Sequence, residues 1–254
     1  MKKLGIVLCS LLMMSGQSWA QMKVVAHRGY WNSRNAAQNS VAALRNASRA
    51  GVWGSEFDVH ITRDGVVVVN HDDDIHGVVI EDALYDDIRK MRLANGEMLP
   101  TLSRYLEEGR RMEGMRLVLE IKEHATAERE DSCVAACLRE VRQAKMADRV
   151  DYISFSLHAC ERILQTEPQA RVYYLNGELP PDIVKRKGMA GIDYSGGVIA
   201  KHPQWVRECH DLGLKVNVWT IDEVKKIRYF RQLGVDYITT NKPAEALEIA
   251  SGKL

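Results

Sequence analysis

The chain has 254 residues, in which 35 Lys and Arg are matched by 34 Asp and Glu, so the formal net charge is +1. This balance, together with the lack of a basic tract, argues against a nucleic-acid partner. The length suits one large domain or two small ones, and no change of composition along the chain marks a second domain.

The N-terminal segment has the pattern of a cleaved secretory signal peptide. It opens with Lys2-Lys3, continues with an apolar run over residues 4–14 that is too short to span a bilayer, and reaches small residues at Ser18-Trp19-Ala20. We therefore expect an exported protein, periplasmic or secreted, that is cleaved near Ala20 and keeps residues 21–254 as one domain. No later segment is long and apolar enough to form a transmembrane helix.

Strand-like segments alternate with helical ones along the rest of the chain. The eight predicted strands are residues 24–27, 54–59, 117–121, 152–155, 172–175, 191–194, 215–219 and 237–240. The eight predicted helices are residues 40–50, 102–111, 132–144, 158–166, 181–187, 203–211, 222–233 and 243–249. This alternation predicts an α/β fold, a (β/α)8 TIM barrel, with a short hairpin arm at residues 66–70 and a loop excursion over the barrel mouth at residues 72–99.

The second predicted strand carries polar side chains on one face. Glu56, Asp58 and His60 alternate with apolar residues and therefore point the same way. A turn and the returning arm at residues 66–70 then bring His71 beside them. Two carboxylates and an imidazole in this arrangement suit a hard cation and a proton carrier. A polar strand face is also typical of a solvated sheet edge, so this strand alone does not decide between the two readings.

Three other predicted strands end in residues that carry chemistry. The first ends at His27-Arg28, the third carries Glu120 and Lys122, and the seventh ends at Trp219. Because catalytic groups of a TIM barrel lie at the carboxyl ends of its strands, one barrel mouth can gather all of them.

Four cysteines lie beyond the predicted signal peptide. Cys133 and Cys137 are four residues apart on a predicted helix, so they share a face but are poorly placed for a mutual disulfide. The sequence has no Cys-x-x-Cys pair, so we expect no zinc site. Cys160 and Cys209 lie far apart in sequence. Buried thiols are the expectation, and export allows one long-range disulfide.

Seven short motifs, taken together, resemble the glycerophosphodiester phosphodiesterase family, a TIM-barrel group within the phospholipase C-like phosphodiesterases. They follow in the same order and spacing across nearly all of the mature chain. These motifs are His27-Arg28-Gly29, Glu56-x-Asp58, Thr62-x-Asp64-Gly65, His71-Asp72, Leu99-Pro100-Thr101-Leu102, Glu120-Ile121-Lys122 and Val218-Trp219-Thr220. Each motif is weak alone, but seven in order over one barrel-sized domain are strong support for the resemblance.

The resemblance implies a role for each matching residue. The implied ligands of one divalent cation are Glu56, Asp58 and Glu120; the general acid and base are His27 and His71; the substrate-binding groups are Arg28 and Lys122 for the phosphate and Trp219 for the alcohol end. Oxygen ligands of this kind suit Ca²⁺ or Mg²⁺. The sequence leaves open which histidine is the acid, and whether water or the glycerol 2-hydroxyl attacks.

One motif departs from the family pattern. Members usually carry Pro-Glu-Asn shortly after the first motif, whereas this chain has Ala37-Gln38-Asn39. If the missing carboxylate belongs to a metal shell, we expect weaker cation binding. Gln38, Asn39 and His60 are therefore predicted as site neighbours.

The implied activity is metal-dependent hydrolysis of small glycerophosphodiesters to sn-glycerol 3-phosphate and an alcohol, a step of lipid and glycerol metabolism. One alternative is a related phospholipase that cuts lysolipids or phosphoinositides, and another is a non-catalytic barrel that binds phosphodiesters. The sequence shows no obvious apolar lip or amphipathic surface helix, which favours the small substrate. It gives no indication of the oligomeric state.

Overall fold

The structure is a computed structural model that describes residues 21–253, so the predicted signal peptide at residues 1–20 lies outside the described part of the chain. The strands are β1 (Lys23–Ala26), β2 (Gly54–Ile61), β3 (Val67–Val69), β4 (Asp74–Ile75), β5 (Val78–Val79), β6 (Arg116–Ile121), β7 (Val150–Ser154), β8 (Arg171–Tyr174), β9 (Gly191–Ser195), β10 (Lys215–Trp219) and β11 (Tyr237–Thr240). Eight of them form a closed parallel ring in the order β1-β2-β6-β7-β8-β9-β10-β11, and β11 pairs back onto β1. The prediction of a TIM barrel is confirmed.

Helices follow the barrel strands and pack on their outer faces, and one short helix, Tyr85–Ile88, lies in the segment after β3. They are α1 (Val41–Ala50), α2 (Tyr85–Ile88), α3 (Leu102–Arg110), α4 (Ala127–Gln143), α5 (Leu157–Thr166), α6 (Pro181–Arg186), α7 (Gly196–Lys201), α8 (Gln204–Asp211), α9 (Val224–Leu233) and α10 (Pro243–Ala250). Of the described helices, none combines the length and the apolar character needed to cross a membrane.

Helix α4 begins earlier than predicted. The sequence pattern placed its start at residue 132, but the side chain of Thr126 accepts a hydrogen bond from the Arg129 amide and caps the helix there. The first turn is strongly charged, and acidic side chains in it complement the helix dipole. Hydrophobic periodicity finds the buried part of such a helix and misses its solvated first turn.

The barrel strands separate two apolar cores. Side chains such as Phe57 and Leu119 point outward and pack between strands and helices. Side chains that include Val118, Ile153 and Tyr173 point inward and fill the barrel. Because successive residues of a strand point to opposite faces, each strand serves both cores, and the polar positions of β2 and β6 point into the barrel.

The predicted hairpin arm is confirmed as β3, which pairs antiparallel with the end of β2 at Val59 and Val69. The excursion that follows contains the β4–β5 hairpin and α2. It has its own small core on the outer side of β3, which includes Val68, Ile80 and Ile88. Residues 72–99 therefore pack around a small apolar core of their own beside β3.

The four cysteines of the described chain, Cys133, Cys137, Cys160 and Cys209, are buried free thiols. The expectation of buried thiols is met, and these residues form no disulfide.

Candidate active site

The eight residues that the sequence places in catalytic, metal-binding or phosphate and substrate roles line one cavity of about 150 Å³ at the carboxyl ends of the strands: His27, Arg28, Glu56, Asp58, His71, Glu120, Lys122 and Trp219. The rest of the lining is half apolar and half polar and comes from the later strands or the residues just after them: Ile153, Phe155, Leu175, Asp193, Thr220 and Thr239.

Glu56, Asp58 and Glu120 form a buried acidic cluster. One carboxylate oxygen from each lies within 4.8 Å of the others. The parallel register of β2 and β6 sets Asp58 opposite Glu120, and Glu56 is two residues earlier on the same face. Among the described residues, Oε1 of Glu56 has no hydrogen-bond partner. Three converging carboxylates with an unsatisfied buried oxygen fit a hard divalent cation.

The cluster is electrostatically unfavourable without a cation. Burial raises the pKa of Glu56 well above its usual value, and the charges of Asp58 and Glu120 raise it further. Burial also raises the pKa of Glu120 to about 7, with Asp58 adding to the shift. Lys122 compensates in part, since its Nζ donates to Glu120 Oε1 at 2.9 Å and lies 3.6 Å from Asp58 Oδ1.

The turn after β1 explains the first motif. Arg28 has φ 53°, a left-handed conformation in which its amide donates to Glu56 Oε2 at 2.7 Å. Gly29 follows at φ 77°, and a Cβ there would lie 2.7 Å from the Cβ of Ala43. Glycine is therefore required for the close approach of α1. The strained Arg28 backbone orients a metal-ligand candidate while its guanidinium lies at the cavity.

The two neighbours in the departing motif have different positions. Asn39 is buried, and its Nδ2 donates to Asp58 Oδ2 at 2.8 Å while its Oδ1 accepts from the Asp58 amide at 3.2 Å. Gln38 is exposed, and its Oε1 accepts from Arg28 Nη1 at 2.5 Å. Asn39 thus fixes a carboxylate of the cluster, whereas Gln38 holds the arginine, outside the described acidic cluster.

His27 is held by a chain of hydrogen bonds that the sequence analysis missed. Its Nδ1 lies 2.9 Å from Oδ1 of Asn241, and Nδ2 of Asn241 donates to Asp222 Oδ2 at 2.8 Å. The carboxylate fixes the amide orientation, so the amide oxygen faces His27 and accepts the Nδ1 proton. Nε2 is then the proton acceptor of the neutral ring. Burial lowers the pKa of His27, opposed by the Asn241 hydrogen bond.

His71 comes from the hairpin and is more exposed. Its Nδ1 lies 2.7 Å from Asp72 Oδ1, and the hydrogen bond from His71 lowers the pKa of Asp72. His60 shares the face of Glu56 and Asp58 as predicted, but the described cavity lining does not include it. The His60 Nε2 instead lies 3.3 Å from the carbonyl oxygen of His71, and burial lowers its pKa to about 4. His60 therefore contacts the backbone of His71.

A second, wider cavity of about 560 Å³ adjoins the first at His71. Its walls include Trp31 and Asp72 from the active-site loops and Leu93 from the excursion. Nε1 of Trp31 donates to Asn241 Oδ1 at 3.0 Å, so Trp31 and His27 share the same amide oxygen as a hydrogen-bond partner.

Comparison with known proteins supplies the family. The family described as the glycerophosphoryl diester phosphodiesterase family matches residues 27–245. The chain belongs to this family. The predicted resemblance is confirmed, and with it the prediction of an enzyme, because curated relatives that match over most of the chain are named glycerophosphodiester phosphodiesterases.

Three relatives illustrate the likeness. The glycerophosphodiester phosphodiesterase of Caldanaerobacter subterraneus subsp. tengcongensis is 23% identical over 242 residues, which cover 89% of this chain and 96% of that protein. The crystal structure of a glycerophosphodiester phosphodiesterase from Parabacteroides distasonis is 44% identical with a TM-score of 0.91, over 92% of this chain and 98% of that chain. An Oleispira antarctica phosphodiesterase, solved in complex with the product sn-glycerol-3-phosphate, has the same fold at 23% identity, with a TM-score of 0.80 over 91% and 96% of the two chains.

Proposed function

We propose that this family member hydrolyses glycerophosphodiesters to sn-glycerol 3-phosphate and an alcohol with one divalent cation, Ca²⁺ or Mg²⁺. The observation that carries the proposal is the convergence of two histidines, two cationic side chains and three carboxylates on one cavity of about 150 Å³. The same fold holds sn-glycerol-3-phosphate in the Oleispira antarctica protein.

Glu56, Asp58 and Glu120 would hold the cation, which when bound supplies Lewis-acid stabilisation of the negative charge on the phosphoryl oxygens. Arg28 and Lys122 act on the same charge, because both cationic groups line the cavity beside the carboxylates. The guanidinium of Arg28 offers a planar fork of donors, and Lys122 offers a compact point charge.

The two histidines divide the proton transfers. His27 has its Nδ1 proton held by Asn241, and burial keeps its pKa low, so Nε2 of the neutral ring accepts the proton of the attacking hydroxyl. The Nδ1 of His71 lies 2.7 Å from Asp72 Oδ1, which orients the ring, and we assign His71 the donation of a proton to the leaving alkoxide. The attacking hydroxyl is that of water or the glycerol 2-hydroxyl; in the second case water then opens the cyclic phosphate.

The two cavities bind different parts of the substrate. The smaller one takes the glycerol phosphate. Trp219 lines this cavity, so we assign it to the glycerol end in place of the alcohol end that the resemblance implied. The wider one takes the alcohol, because it opens on the far side of His71, the proposed acid. Drug-sized ligands occupy pockets of about 300–1,000 Å³, and the smaller cavity of about 150 Å³ suits a group of the size of glycerol phosphate.

The test is a substrate panel on the purified chain from Gln21 onward, with Mg²⁺, with Ca²⁺ and with EDTA. The panel comprises glycerophosphocholine, glycerophosphoethanolamine, glycerophosphoinositol and lysophosphatidylcholine, and the readout is released sn-glycerol 3-phosphate and alcohol. We expect release from the first three. Turnover of lysophosphatidylcholine alone would favour the phospholipase, and binding without turnover of any substrate would favour the non-catalytic barrel.

We further propose that the protein is exported and cleaved near Ala20, on the support of the N-terminal pattern. Expression of the full chain should give a mature protein whose N-terminal residue, read by mass spectrometry, is Gln21. Recovery of an uncleaved chain that starts at Met1 would contradict this.

A further inference from the structure

Asp193 is a buried carboxyl group in the cavity that the proposed mechanism leaves unused. It lies on β9, its exposed fraction is 2%, and it forms part of the cavity lining. Within residues 21–253 its Oδ1 has no hydrogen-bond partner. Burial of a polar oxygen without a partner is costly, so this oxygen is an acceptor that a donor entering the cavity can satisfy.

Asp193 lies across the barrel from the acidic cluster. Three strands separate β9 from β2 in either direction round the ring, so Asp193 faces the cavity from the side opposite Glu56 and Asp58. The walls between the two sides include Ile153, Phe155 and Leu175. A ligand that spans this cavity can place an anionic group at Arg28 and Lys122, carbon atoms along the apolar walls, and a polar group at Asp193.

The surroundings of Asp193 favour a hydroxyl ligand over a second cation. Its neighbour Asn217 on β10 is uncharged: it is opposite Asp193 in the register, and its Nδ2 donates to Thr239 Oγ1 at 2.8 Å. Oδ1 of Asn217 is also buried with no partner in the described chain. Burial raises the pKa of Asp193 to about 7; a hydrogen bond from Asn217 opposes this shift, and the charge of Glu120 adds to it. The carboxyl group of Asp193 and the amide oxygen of Asn217 can both accept a hydrogen bond from an alcohol hydroxyl.

The position of Asp193 is fixed by its neighbour. Nε1 of Trp219 donates to the Asp193 carbonyl oxygen at 2.8 Å, and the Trp219 ring packs edge-on against Phe155 at 5.6 Å between ring centroids. The tryptophan at the proposed glycerol end and the carboxyl group therefore form one rigid wall.

We propose that Asp193 binds a free hydroxyl group of the glycerol moiety and so makes the enzyme selective for deacylated glycerol phosphates. This rests on the proposed function, and it adds a residue that the first and second proton transfers do not involve. An acyl ester at that oxygen removes the donor, and a deoxy analogue leaves the carboxyl oxygen unpaired.

The test compares the binding of two phosphate monoesters to the Mg²⁺-loaded protein by calorimetry, without turnover. sn-Glycerol 3-phosphate carries two hydroxyls, and 1-propyl phosphate has the same number of carbons and none. We expect the wild type to prefer glycerol phosphate by at least about tenfold, because an unpaired buried acceptor penalises the analogue. In Asp193→Ala the ratio should fall to within about twofold of one, because glycerol phosphate loses its acceptor and propyl phosphate no longer leaves a buried carboxyl oxygen unpaired.

Two further variants keep the test decisive. Asp193→Leu fills the space of the side chain and gives the same comparison if the alanine variant does not fold. Asp151→Asn alters another barrel carboxyl group of the same 2% exposure at the far end of β7, and it should keep the wild-type ratio.

The proposal is overturned if the wild-type ratio is near one, or if the Asp193 variants weaken both ligands equally. The second result would assign Asp193 to the phosphate end or to the fold. Because binding is measured, a protein that hydrolyses no glycerophosphodiester would contradict the proposed function and leave this comparison readable.

Discussion

The amino and carboxyl ends of the barrel strands both bury acidic side chains, but they surround them differently. At the amino end, Asp151 on β7 accepts hydrogen bonds from Arg116, and the Nε of Arg171 lies 3.3 Å from its Oδ1. Two guanidinium groups thus serve one carboxylate. At the carboxyl end, three carboxylates share Lys122 and the more distant Arg28, whose Nε lies 3.8 Å from Asp58 Oδ2.

The pKa shifts express the same difference. Burial raises the pKa of Asp151, and Arg116 and Arg171 oppose that shift. At Glu56 burial, Asp58 and Glu120 all act in the same direction, against a smaller contribution from Arg28. One end of the barrel compensates its buried charge from within the chain and stabilises the fold, whereas the other end leaves negative charge for a ligand to compensate. This is the division between stability and activity that TIM barrels follow.

The largest expected effect comes from the proton-transfer groups at the carboxyl end. His27→Ala or His71→Ala should lower kcat by roughly 10²–10⁴-fold, the usual contribution of a general acid or base. Both side chains line the cavity and lie outside the apolar cores, so the melting temperature should change little. Steady-state kinetics and thermal melts check this, and near wild-type turnover by either variant would contradict the proposed mechanism.

A matched pair of substitutions tests the comparison itself. Glu120→Gln removes one of three repelling carboxylates, so we expect a metal-free protein at least as stable as wild type that loses cation binding and activity. Asp151→Asn leaves two arginines without their charged partner, and breaking a buried pair costs about 3–5 kcal/mol. Activity should persist in the folded fraction. Urea unfolding and kinetics check both variants. An equal loss of stability in the two would contradict the proposed difference between the amino and carboxyl ends of the barrel.

The pH dependence of stability should report the uncompensated cluster. The folded pKa of Glu120 is about 7, above its usual 4.5, so the unfolded chain ionises first as the pH rises. Metal-free stability attributable to this group is therefore present at low pH and lost between about pH 4.5 and 7, at up to about 1.4 kcal/mol per pH unit. Urea unfolding in EDTA across this range, with Glu120→Gln as the reference, measures it. A wild type that gains stability relative to the variant as pH rises would show the opposite sign.

The smallest expected effect concerns the departure from the family motif. Gln38→Glu places a carboxylate against the Arg28 guanidinium, where Oε1 of the glutamine now accepts at 2.5 Å. The pair is exposed, so we expect a change of less than about 1 kcal/mol in stability and of less than about threefold in KM. The Kd of the cation should also stay within about threefold, because Gln38 contacts arginine and lies outside the described cluster. If Gln38→Glu lowered the Kd of the cation tenfold, this side chain would be a metal ligand.

Much of the fold could be read from the sequence because barrel strands are short, apolar and separated by helices of regular period. The limits of β10 and β11 were predicted to the residue. The short helix α7 was missed, since it begins with Gly196-Gly197, which disfavour a helix in every propensity scale. Helix α9 begins at Val224, two residues later than predicted, because the Asp222 side chain accepts from the Asn241 amide.

The candidate site was predicted where its residues are close in sequence or belong to motifs. Asn241 and Asp193 were missed for a physical reason: each meets its functional neighbours only through barrel closure, and Asn241 is 214 positions from His27. No local pattern records such a contact. A signal for Asp193 did exist, because an aspartate at the centre of the apolar strand Gly191–Ser195 has no reason to be buried without a ligand or a partner.

The most direct test of the account is the titration of Mg²⁺ or Ca²⁺ into the metal-free wild type by calorimetry at pH 6.5 in buffers of different ionisation enthalpy. We predict one cation per chain, release of protons on binding, because the pKa of Glu56 and that of Glu120 are both raised, and activity that appears with the same stoichiometry. Full hydrolysis of glycerophosphocholine in excess EDTA, with no heat of cation binding, would contradict the claim that the carboxyl end of this barrel is completed by a metal ion.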